Sequence, residues 1–225
     1  GTGLPLDSNV NYFILAEFGH NAITSPGDDS VRLTDASVTL NHIPGARVRA
    51  GLFKYPGAEE GLQAIHVFDY INFTTVTNQL LLERFPNEVY TPNAGRIELP
   101  STTGLYAYDS SVGAFRDTGI QIFDSFRSGK WEHSYALMVG NGNGLNFGNG
   151  DGNYDKYIYL STEYVFGGKG GRREGLKLFA WDQSGKRLLD NTNDSINNPT
   201  EFNRDRSGIG VNYLQKPFRV SAEYM

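Results

Sequence analysis

Charged side chains in strand-like segments are the residues of this chain with the clearest chemical role. They fall on the polar side of runs in which apolar and polar residues alternate. A charge on a wall of low dielectric constant attracts a mobile ion more strongly than the same charge in bulk water, so the basic members of this set would attract anions. The candidate pore-lining residues on these polar sides are Arg47, Arg49, Glu163, Lys177, Arg219 and Glu223, and Lys54, directly after the run that contains Arg47 and Arg49, is a further candidate.

Covalent chemistry has little support in the sequence. There is no G-x-S-x-G or S-x-x-K motif, and the four histidines lack the spacing of metal ligands. The absence of cysteine excludes disulfides, thiolate metal sites and a cysteine nucleophile. The adjacent carboxylates Asp28-Asp29 and Glu59-Glu60 fit solvated loop charge better than an acid and base pair. We therefore expect no enzymatic activity, no catalytic residue and no cofactor.

One loop imitates the ligand spacing of a calcium site. Asp151, Asn153 and Asp155 match the start of an EF-hand loop, but the sixth position is Lys156 rather than Gly and the twelfth is Thr162 rather than Glu. A turn rich in residues that tolerate positive φ angles accounts for the same letters. The full motif is rejected and no metal ligand is predicted, while a looser calcium site in this loop stays open.

The composition favours one large all-β domain over residues 1–225. The 225 residues include 27 glycines and 13% aromatic residues, which suit many strands joined by turns. All-β domains of this size often stay undivided. The net charge of −5 offers no broad basic surface, so nucleic acid is not an expected partner.

Alternation of apolar and polar residues predicts about nine strands. Successive side chains of a strand point to opposite faces, so each alternating run has one apolar face and one polar face. The predicted strands cover residues 10–18, 30–41, 46–53, 116–126, 131–139, 156–166, 175–181, 207–214 and 218–224.

The connections between these strands alternate in length. Bacterial outer-membrane barrels have short turns on one rim and long loops on the other, and a packed core would exclude charges from strand interiors. Both features predict an antiparallel transmembrane β-barrel. An antiparallel sheet with one face in bulk water is the alternative that explains each strand singly. The compact turns are predicted at residues 42–45, 127–130, 167–174 and 215–217.

The alternation stops over residues 55–114. Loops usually have about four to six residues, so a segment of this length is either functional or has structure of its own. We predict one long loop that constricts the pore. Residues 79–84 within it also fit a short helix.

The odd number of strands has a consequence for the whole protein. Single-chain bacterial barrels have an even number of strands, and an open sheet would leave two unpaired edges in lipid. We therefore expect the chain to be part of a longer protein.

Aromatic residues on the apolar faces cluster near the ends of the predicted strands. An aromatic girdle at the lipid interface would have this distribution, and packing in a core is the alternative. The residues are Tyr12, Trp131, Tyr135, Tyr164, Phe166, Tyr213, Phe218 and Tyr224.

Five stretches spread over most of the chain carry a family resemblance. They are LTDASVTLNHIPGARVRAGLFKYPGAEEG at residues 33–61, GAFRDTGIQIFDSF at 113–126, KWEHSYALMVGNGNGLN at 130–146, GLKLFAW at 175–181 and FRVSAEY at 218–224. With these residues the sequence resembles the phosphate-selective porin O and P family of Gram-negative outer-membrane channels. The resemblance implies a homotrimeric barrel of about sixteen strands in lipid and lipopolysaccharide, with residues 55–114 as a long third loop folded into the pore.

The chain departs from this family in three respects. The family's first strands are missing before Gly1, and the last residue is Met225 instead of an aromatic residue, which both fit a partial chain. The family's arginine ladder and lysine cluster cannot be placed residue by residue, although Arg47 and Arg49 match a ladder best. Acidic residues on the polar faces nearly balance them: Asp35, Asp117, Glu163 and Glu223.

Passive diffusion of small hydrophilic solutes or ions is the function that these features favour, with selectivity for anions or phosphate as a further hypothesis. The bacterial outer membrane would be the location. One alternative is a non-conducting barrel that serves as a scaffold or sheath for a partner protein. Another is a soluble β-sandwich that binds carbohydrate through Trp131, Trp181 and exposed tyrosines.

Overall fold

The computed structural model of the chain describes residues 9–19, 24, 31–63, 73–82, 88–91, 95–98, 114–145, 152–168, 173–189 and 200–225. The helical elements of these residues include α1 (Glu59–Leu62) and a π-helical turn at Thr77–Leu81. The strands in chain order are β1 (Val10–Phe18), β2 (Val31–Leu40), β3 (Arg47–Lys54), β4 (Glu88–Thr91), β5 (Gly95–Glu98), β6 (Arg116–Ser128), β7 (Trp131–Gly140), β8 (Asp155–Gly167), β9 (Glu174–Ser184), β10 (Lys186–Leu189), β11 (Thr200–Asn203), β12 (Arg206–Gln215) and β13 (Phe218–Tyr224).

Nine of these strands form one antiparallel sheet with the order β1-β2-β3-β6-β7-β8-β9-β12-β13. The all-β fold and the nine predicted strands are confirmed. β1 and β13 are the two edges, so the sheet is open. The pairs β4–β5 and β10–β11 form small hairpins inside segments predicted as loops. In the described parts of the chain, no helix is long and apolar enough to span a membrane.

The predicted short helix at residues 79–84 is replaced by the π-helical turn at Thr77–Leu81. Residues 83 and 84 lie outside the described residues. Asn78 supports this turn, because its side-chain amide donates to the backbone carbonyls of Phe73 and Thr74 at 3.1 and 3.2 Å. Such side-chain bonds to nearby carbonyls compete with regular α-helical hydrogen bonding.

Two tight turns fix which residues share a face of the sheet. Ser128 pairs with Trp131 across the turn between β6 and β7, and Gln215 pairs with Phe218 across the turn between β12 and β13. A slip of one residue in either hairpin would move every side chain of a strand to the opposite face. The turns therefore place the alternating residues where the sequence pattern predicts them.

Burial in this sheet is reversed relative to a sheet in water. Along β8, Tyr157 and Tyr159 are 2% and 7% exposed, whereas Ile158 and Leu160 are 43% and 53% exposed. The face with Tyr157 and Tyr159 is named the inner face, and the face with Ile158 and Leu160 the outer face. The exposed residues of the outer face also include Ile120, Ile122, Leu137, Val139, Leu176, Leu178 and Ile209.

The segment that follows β3 covers part of the inner face. Residues 55–63, named the strap, contain α1. Tyr55 stacks on Tyr157 with 4.8 Å between ring centroids. Gly61 approaches Phe115 so closely that an added Cβ would lie 2.6 Å from its ring. The core of the described residues therefore lies between the inner face and the segments that cover it, and its other members are Phe53, Ala58, Leu81, Leu82, Ala136, Met138, Tyr159, Phe179 and Trp181.

This core corrects one expectation from the sequence. The sequence predicts that a strand face with charges lacks a packed core, but the inner face has both charges and a core. Its core members are largely Tyr, Trp and Phe, and Tyr and Trp have an apolar body with a polar tip. Residues of this kind stand on the polar side of an alternating pattern and still pack against a covering segment.

The strap also crosses several strands of the inner face. It leaves β3 at Lys54, and Oε2 of Glu59 lies 2.8 Å from Nζ of Lys177 on β9, which β6, β7 and β8 separate from β3 in the sheet order. The strap therefore extends across the inner face from β3 to β9.

Candidate functional site

Arg49 is a guanidinium held between aromatic rings on the inner face. Its Cζ lies 4.6 Å from the ring centroid of Phe123 and 5.4 Å from that of Phe53. Its Nε donates to Oγ1 of Thr39, which lies opposite it on β2, at 3.1 Å. Arg49 forms no salt bridge with any residue that the structure describes. Its terminal nitrogens are therefore left to donate to another acceptor.

Arg47 lies two residues earlier on β3 and has a different environment. Its Cζ lies 4.7 Å from the Phe123 ring centroid, and its Nη2 lies 3.0 Å from Oδ1 of Asp124. The two arginines thus stack on the same ring, but a carboxylate neutralises Arg47. Sequence alternation placed both on the polar face and could not distinguish them.

A groove of about 780 Å³ runs along the inner face beside these arginines. This volume falls in the range of about 300–1,000 Å³ found for small-molecule sites. Asp35, which also lines it, is paired with Arg116 at 3.0 Å. Besides Asp35, the lining residues include Arg49, Phe53, Gln121, Phe123, Ser134 and Tyr159.

Lys54 supports the strap. Its Nζ donates to the backbone carbonyls of Gly61 and Gln63, both at 2.8 Å. These carbonyls lie at the end of α1, where backbone acceptors lack partners within the helix. These bonds give Lys54 a positioning role. Lys54 also lines the groove of about 780 Å³, so its role as a pore-lining residue stays a prediction.

Lys177 and Glu223 meet the strap on the far side of the groove. Oε2 of Glu59 lies 2.8 Å from Nζ of Lys177 and accepts from the hydroxyl of Tyr159 at 3.4 Å. The Lys177 ammonium also lies 5.6 Å from the ring centroid of Tyr159. Oε1 of Glu223 accepts from the indole N–H of Trp181 at 2.7 Å. Lys177 is therefore paired with Glu59, which the sequence predicts to be a solvated loop charge, and the charge of Glu59 also acts on Glu223.

Glu163 belongs to an ion triad that the sequence did not reveal. Glu132 and Glu163 lie opposite each other on β7 and β8, a position where like charges repel. Arg173 bridges them: its Nη2 lies 2.7 Å from Oε1 of Glu132, and its Nε donates to Oε1 of Glu163 at 2.9 Å. Hydrogen bonds with Glu163 and Glu132 raise the pKa of Arg173 above its ordinary value.

The remaining predicted residue, Arg219, lies on the edge strand β13 and is exposed. With Glu163, Arg173 and Lys177 it lines a second recess, of about 230 Å³. Glu163 also lies opposite Lys177 in the pairing of β8 and β9. The structure therefore brings Glu163, Lys177 and Arg219 to one recess, whereas Arg47 and Arg49 line the larger groove.

A buried polar network joins the strand ends at the long-loop rim. Asp117 accepts from the hydroxyl of Tyr157 at 2.9 Å. Asp155 accepts from Nε2 of Gln183 at 2.8 Å and forms an ion pair with Arg204. Buried charges of this kind are stable only when paired and hydrogen-bonded, so the network fixes the ends of β6, β8 and β9 relative to one another.

This network bears on the calcium loop considered from the sequence. Asp155 directs its carboxylate to Gln183 and Arg204, and Asp151 lies outside the described residues. Within the described ranges, no group of three or more His, Cys, Asp or Glu side chains could hold a metal ion.

Aromatic side chains form a chain of contacts near the short turns. Trp131 and Tyr164 meet at 5.0 Å between ring centroids, Tyr164 and Phe166 at 5.8 Å, and Phe166 and Tyr213 at 6.0 Å. Trp131 directly follows the turn between β6 and β7. These contacts link three strands along one rim and bring together four of the residues predicted for an aromatic girdle.

Two residues of the site escaped sequence analysis. The sequence predicts Phe123 only as part of an alternating run, whereas in the structure its ring contacts the guanidinium groups of both Arg47 and Arg49. Arg173 was assigned to a turn rich in glycine and arginine. Glu174, the next residue, begins β9. The position of Arg173 at the end of a strand was the one feature of the sequence that could have indicated contacts with the neighbouring strands.

Comparisons of the chain with known protein families, with curated proteins and with solved structures found no match. The family suggested by the sequence resemblance therefore remains a proposal.

Proposed function

We propose that this chain forms part of the wall of an outer-membrane β-barrel through which small hydrophilic solutes and ions diffuse passively. The reversed burial of the sheet carries the proposal. Aliphatic side chains such as Leu160 are exposed on the outer face, whereas Asp117 and Asp155 are buried on the inner side. Large exposed apolar patches are rare in soluble proteins, and lipid would solvate such a face.

The length of the outer face fits a bilayer. From Trp131 to Val139, β7 advances by eight residues, or about 27 Å at roughly 3.4 Å per residue. A strand tilt of about 40° leaves roughly 21 Å along the membrane normal, close to the apolar band of about 25 Å in outer-membrane barrels. The aromatic contacts at the short-turn rim are typical of a girdle at the lipid interface.

The open edges of the sheet support a larger assembly. β1 and β13 are the edges of the nine-stranded sheet that the described residues form, and an open sheet edge is costly in lipid. Further strands of a longer protein would pair with them and close a barrel of about sixteen strands. We propose the phosphate-selective porin O and P family and a homotrimer on the basis of the sequence resemblance.

Anion preference is proposed at Arg49. The two rings restrict its guanidinium, and Thr39 occupies only its Nε. The terminal nitrogens would donate in parallel to a carboxylate or phosphate in the groove, a geometry that a guanidinium favours. Arg47 contributes less because Asp124 already neutralises it.

One observation favours a second function, a non-conducting scaffold or sheath for a partner protein. The strap and its core fill part of the inner face. The groove of about 780 Å³ beside the strap favours conduction instead. The soluble carbohydrate-binding alternative is weakened, because Trp181 is 4% exposed and its indole N–H is bonded to Glu223, so its ring cannot stack on a sugar.

Recordings from the full-length native protein in planar lipid bilayers test this function. We expect extraction only with detergent, stepwise channel openings and a reversal potential in a KCl gradient that favours chloride. A detergent-dependent protein that never conducts would support the scaffold. A protein that stays in buffer without detergent would contradict the barrel.

A further inference from the structure

We infer that the strap sets the charge selectivity of the pore, because Glu59 neutralises Lys177 and so withholds this cation from permeating anions. The inference rests on the proposed transport function. It assigns a specificity-determining role to Glu59, a residue that the sequence pattern indicated only as loop charge.

The pair is built into the structure from both sides. The side chains of Glu59 and Lys177 are 17% and 24% exposed, with 2.8 Å between Oε2 and Nζ. The rings of Tyr159 and Phe179 both lie 5.6 Å from the ammonium, so little water reaches it on that side. Coulombic attraction is stronger where water is excluded.

The strap is held where Glu59 can reach Lys177. Lys54 bonds to the carbonyls of Gly61 and Gln63 at the end of α1, and Tyr55 stacks on Tyr157 at the beginning of the strap. Both ends of the strap are therefore held by contacts with the sheet. Glu59 lies between these ends, so its side chain is positioned next to Lys177 on β9.

Removing either member of the pair leaves the other charge without its direct partner, because Glu163, which lies opposite Lys177, is already bonded to Arg173. With Glu59→Gln, the ammonium of Lys177 faces the recess of about 230 Å³, and a passing anion can take the place of the carboxylate. With Lys177→Gln, the carboxylate of Glu59 is left and attracts cations instead. The two substitutions are therefore expected to change selectivity in opposite directions.

Glu60 offers a matched control. It carries the same charge on the neighbouring residue, but its carboxylate accepts from the backbone N–H of Thr74 at 3.0 Å and from the Thr74 hydroxyl at 2.8 Å. Glu60→Gln removes one negative charge from the strap without releasing Lys177. The change in permeability ratio that Glu60→Gln causes therefore measures the effect of removing any negative charge from the strap.

The test is the chloride to potassium permeability ratio of the full-length protein in planar bilayers. We expect Glu59→Gln to raise the ratio about threefold or more, Lys177→Gln to lower it by a similar factor, and the double substitution to return it close to the wild-type value. Glu60→Gln should change it less than Glu59→Gln.

Other results overturn the inference. Conducting single variants with wild-type permeability ratios would show that the pair does not influence ions. Equal shifts for Glu59→Gln and Glu60→Gln would show only a general charge effect. A larger conductance of Glu59→Gln without a change in ratio would show that the pair only anchors the strap. A wild-type protein that does not conduct would instead overturn the transport function.

Discussion

Tyr157 and Ile158 are adjacent in β8, and their burial is opposite to their polarity: the tyrosine is 2% exposed and the isoleucine 43% exposed. The phenol hydroxyl of Tyr157 is bonded to Asp117, whereas Ile158 lies on the outer face. In water this arrangement would expose an aliphatic side chain and desolvate polar groups, both at a cost. In lipid the exposed isoleucine is favourable.

A charge on the outer face is expected to destabilise the protein in a membrane. Leu160→Arg should lower the free energy of unfolding from lipid vesicles by about 2–4 kcal/mol, as at the middle of other membrane barrels. Guanidinium titrations in vesicles measure this difference. Leu160→Met is the control and should stay close to wild type. A change within about 0.5 kcal/mol for the arginine variant is typical of a water-exposed site and would contradict the outer-face assignment.

Both the charge and the planar shape of the Arg49 guanidinium are expected to contribute to anion selectivity. Arg49→Gln should reduce the chloride to potassium permeability ratio severalfold, because the charge is lost. Arg49→Lys keeps the charge but loses the planar fork that stacks on Phe123, so an intermediate ratio is expected. Reversal potentials in a salt gradient measure both. Unchanged selectivity in Arg49→Gln would exclude this residue from the ion path.

The ion triad is expected to stabilise the hairpin of β7 and β8. Arg173→Gln leaves Glu132 and Glu163 facing each other and should lower the free energy of unfolding by about 1–3 kcal/mol. Adding Glu163→Gln removes one of the facing carboxylates and should restore part of the loss. If the second substitution makes the protein less stable still, repulsion between the two carboxylates is not the cause.

The same triad predicts little pH dependence from Arg173 near neutrality. Hydrogen bonds with Glu163 and Glu132 raise the pKa of Arg173, so its contribution to stability is fully present below the ordinary pKa of arginine and is lost only as the pH rises through the raised pKa. The stability difference between wild type and Arg173→Gln should therefore be constant from about pH 6 to about pH 9. A difference that disappears within this range would show that Arg173 is not the group responsible.

Gly119 is expected to be required by the close approach of β6 and β7. A Cβ at this position would lie 2.2 Å from the backbone oxygen of Val139, which cannot move without disturbing the strand pair. Gly119→Ala should therefore destabilise the protein by about 2 kcal/mol or more. Gly167→Ala is the control, because nothing lies within 4 Å of its added Cβ. Thermal unfolding should show a clearly lower melting temperature for Gly119→Ala than for Gly167→Ala. Equal melting temperatures would contradict the close approach of β6 and β7 at Gly119.

The sheet could be predicted from the sequence because its signal is local. Alternation within each strand and tight turns such as that between Ser128 and Trp131 determine which residues share a face. The covering of the inner face could not be predicted in this way. The contact between Glu59 and Lys177 joins residues 118 positions apart, and no local pattern encodes it.

The candidate site was predicted in part for the same reason. Arg47 and Arg49 were placed correctly on one face by alternation, but the carboxylate that distinguishes them, Asp124, is on another strand. Lys54, which the sequence predicts to line the pore, bonds to Gly61 and Gln63 within the strap and also lines the larger groove. Ion pairs between segments far apart in the sequence determine which charged side chains are neutralised and which can still bind a solute.

The two tryptophans of this chain allow the most direct test of the central claim, that the outer face contacts lipid. Trp131 is 46% exposed at the aromatic rim, and Trp181 is 4% exposed in the core of the inner face. In vesicles with brominated acyl chains, we expect strong quenching of the fluorescence of Trp131 in a Trp181→Phe variant and little quenching of Trp181 in a Trp131→Phe variant. Equal quenching of both, or quenching of neither, would contradict the account.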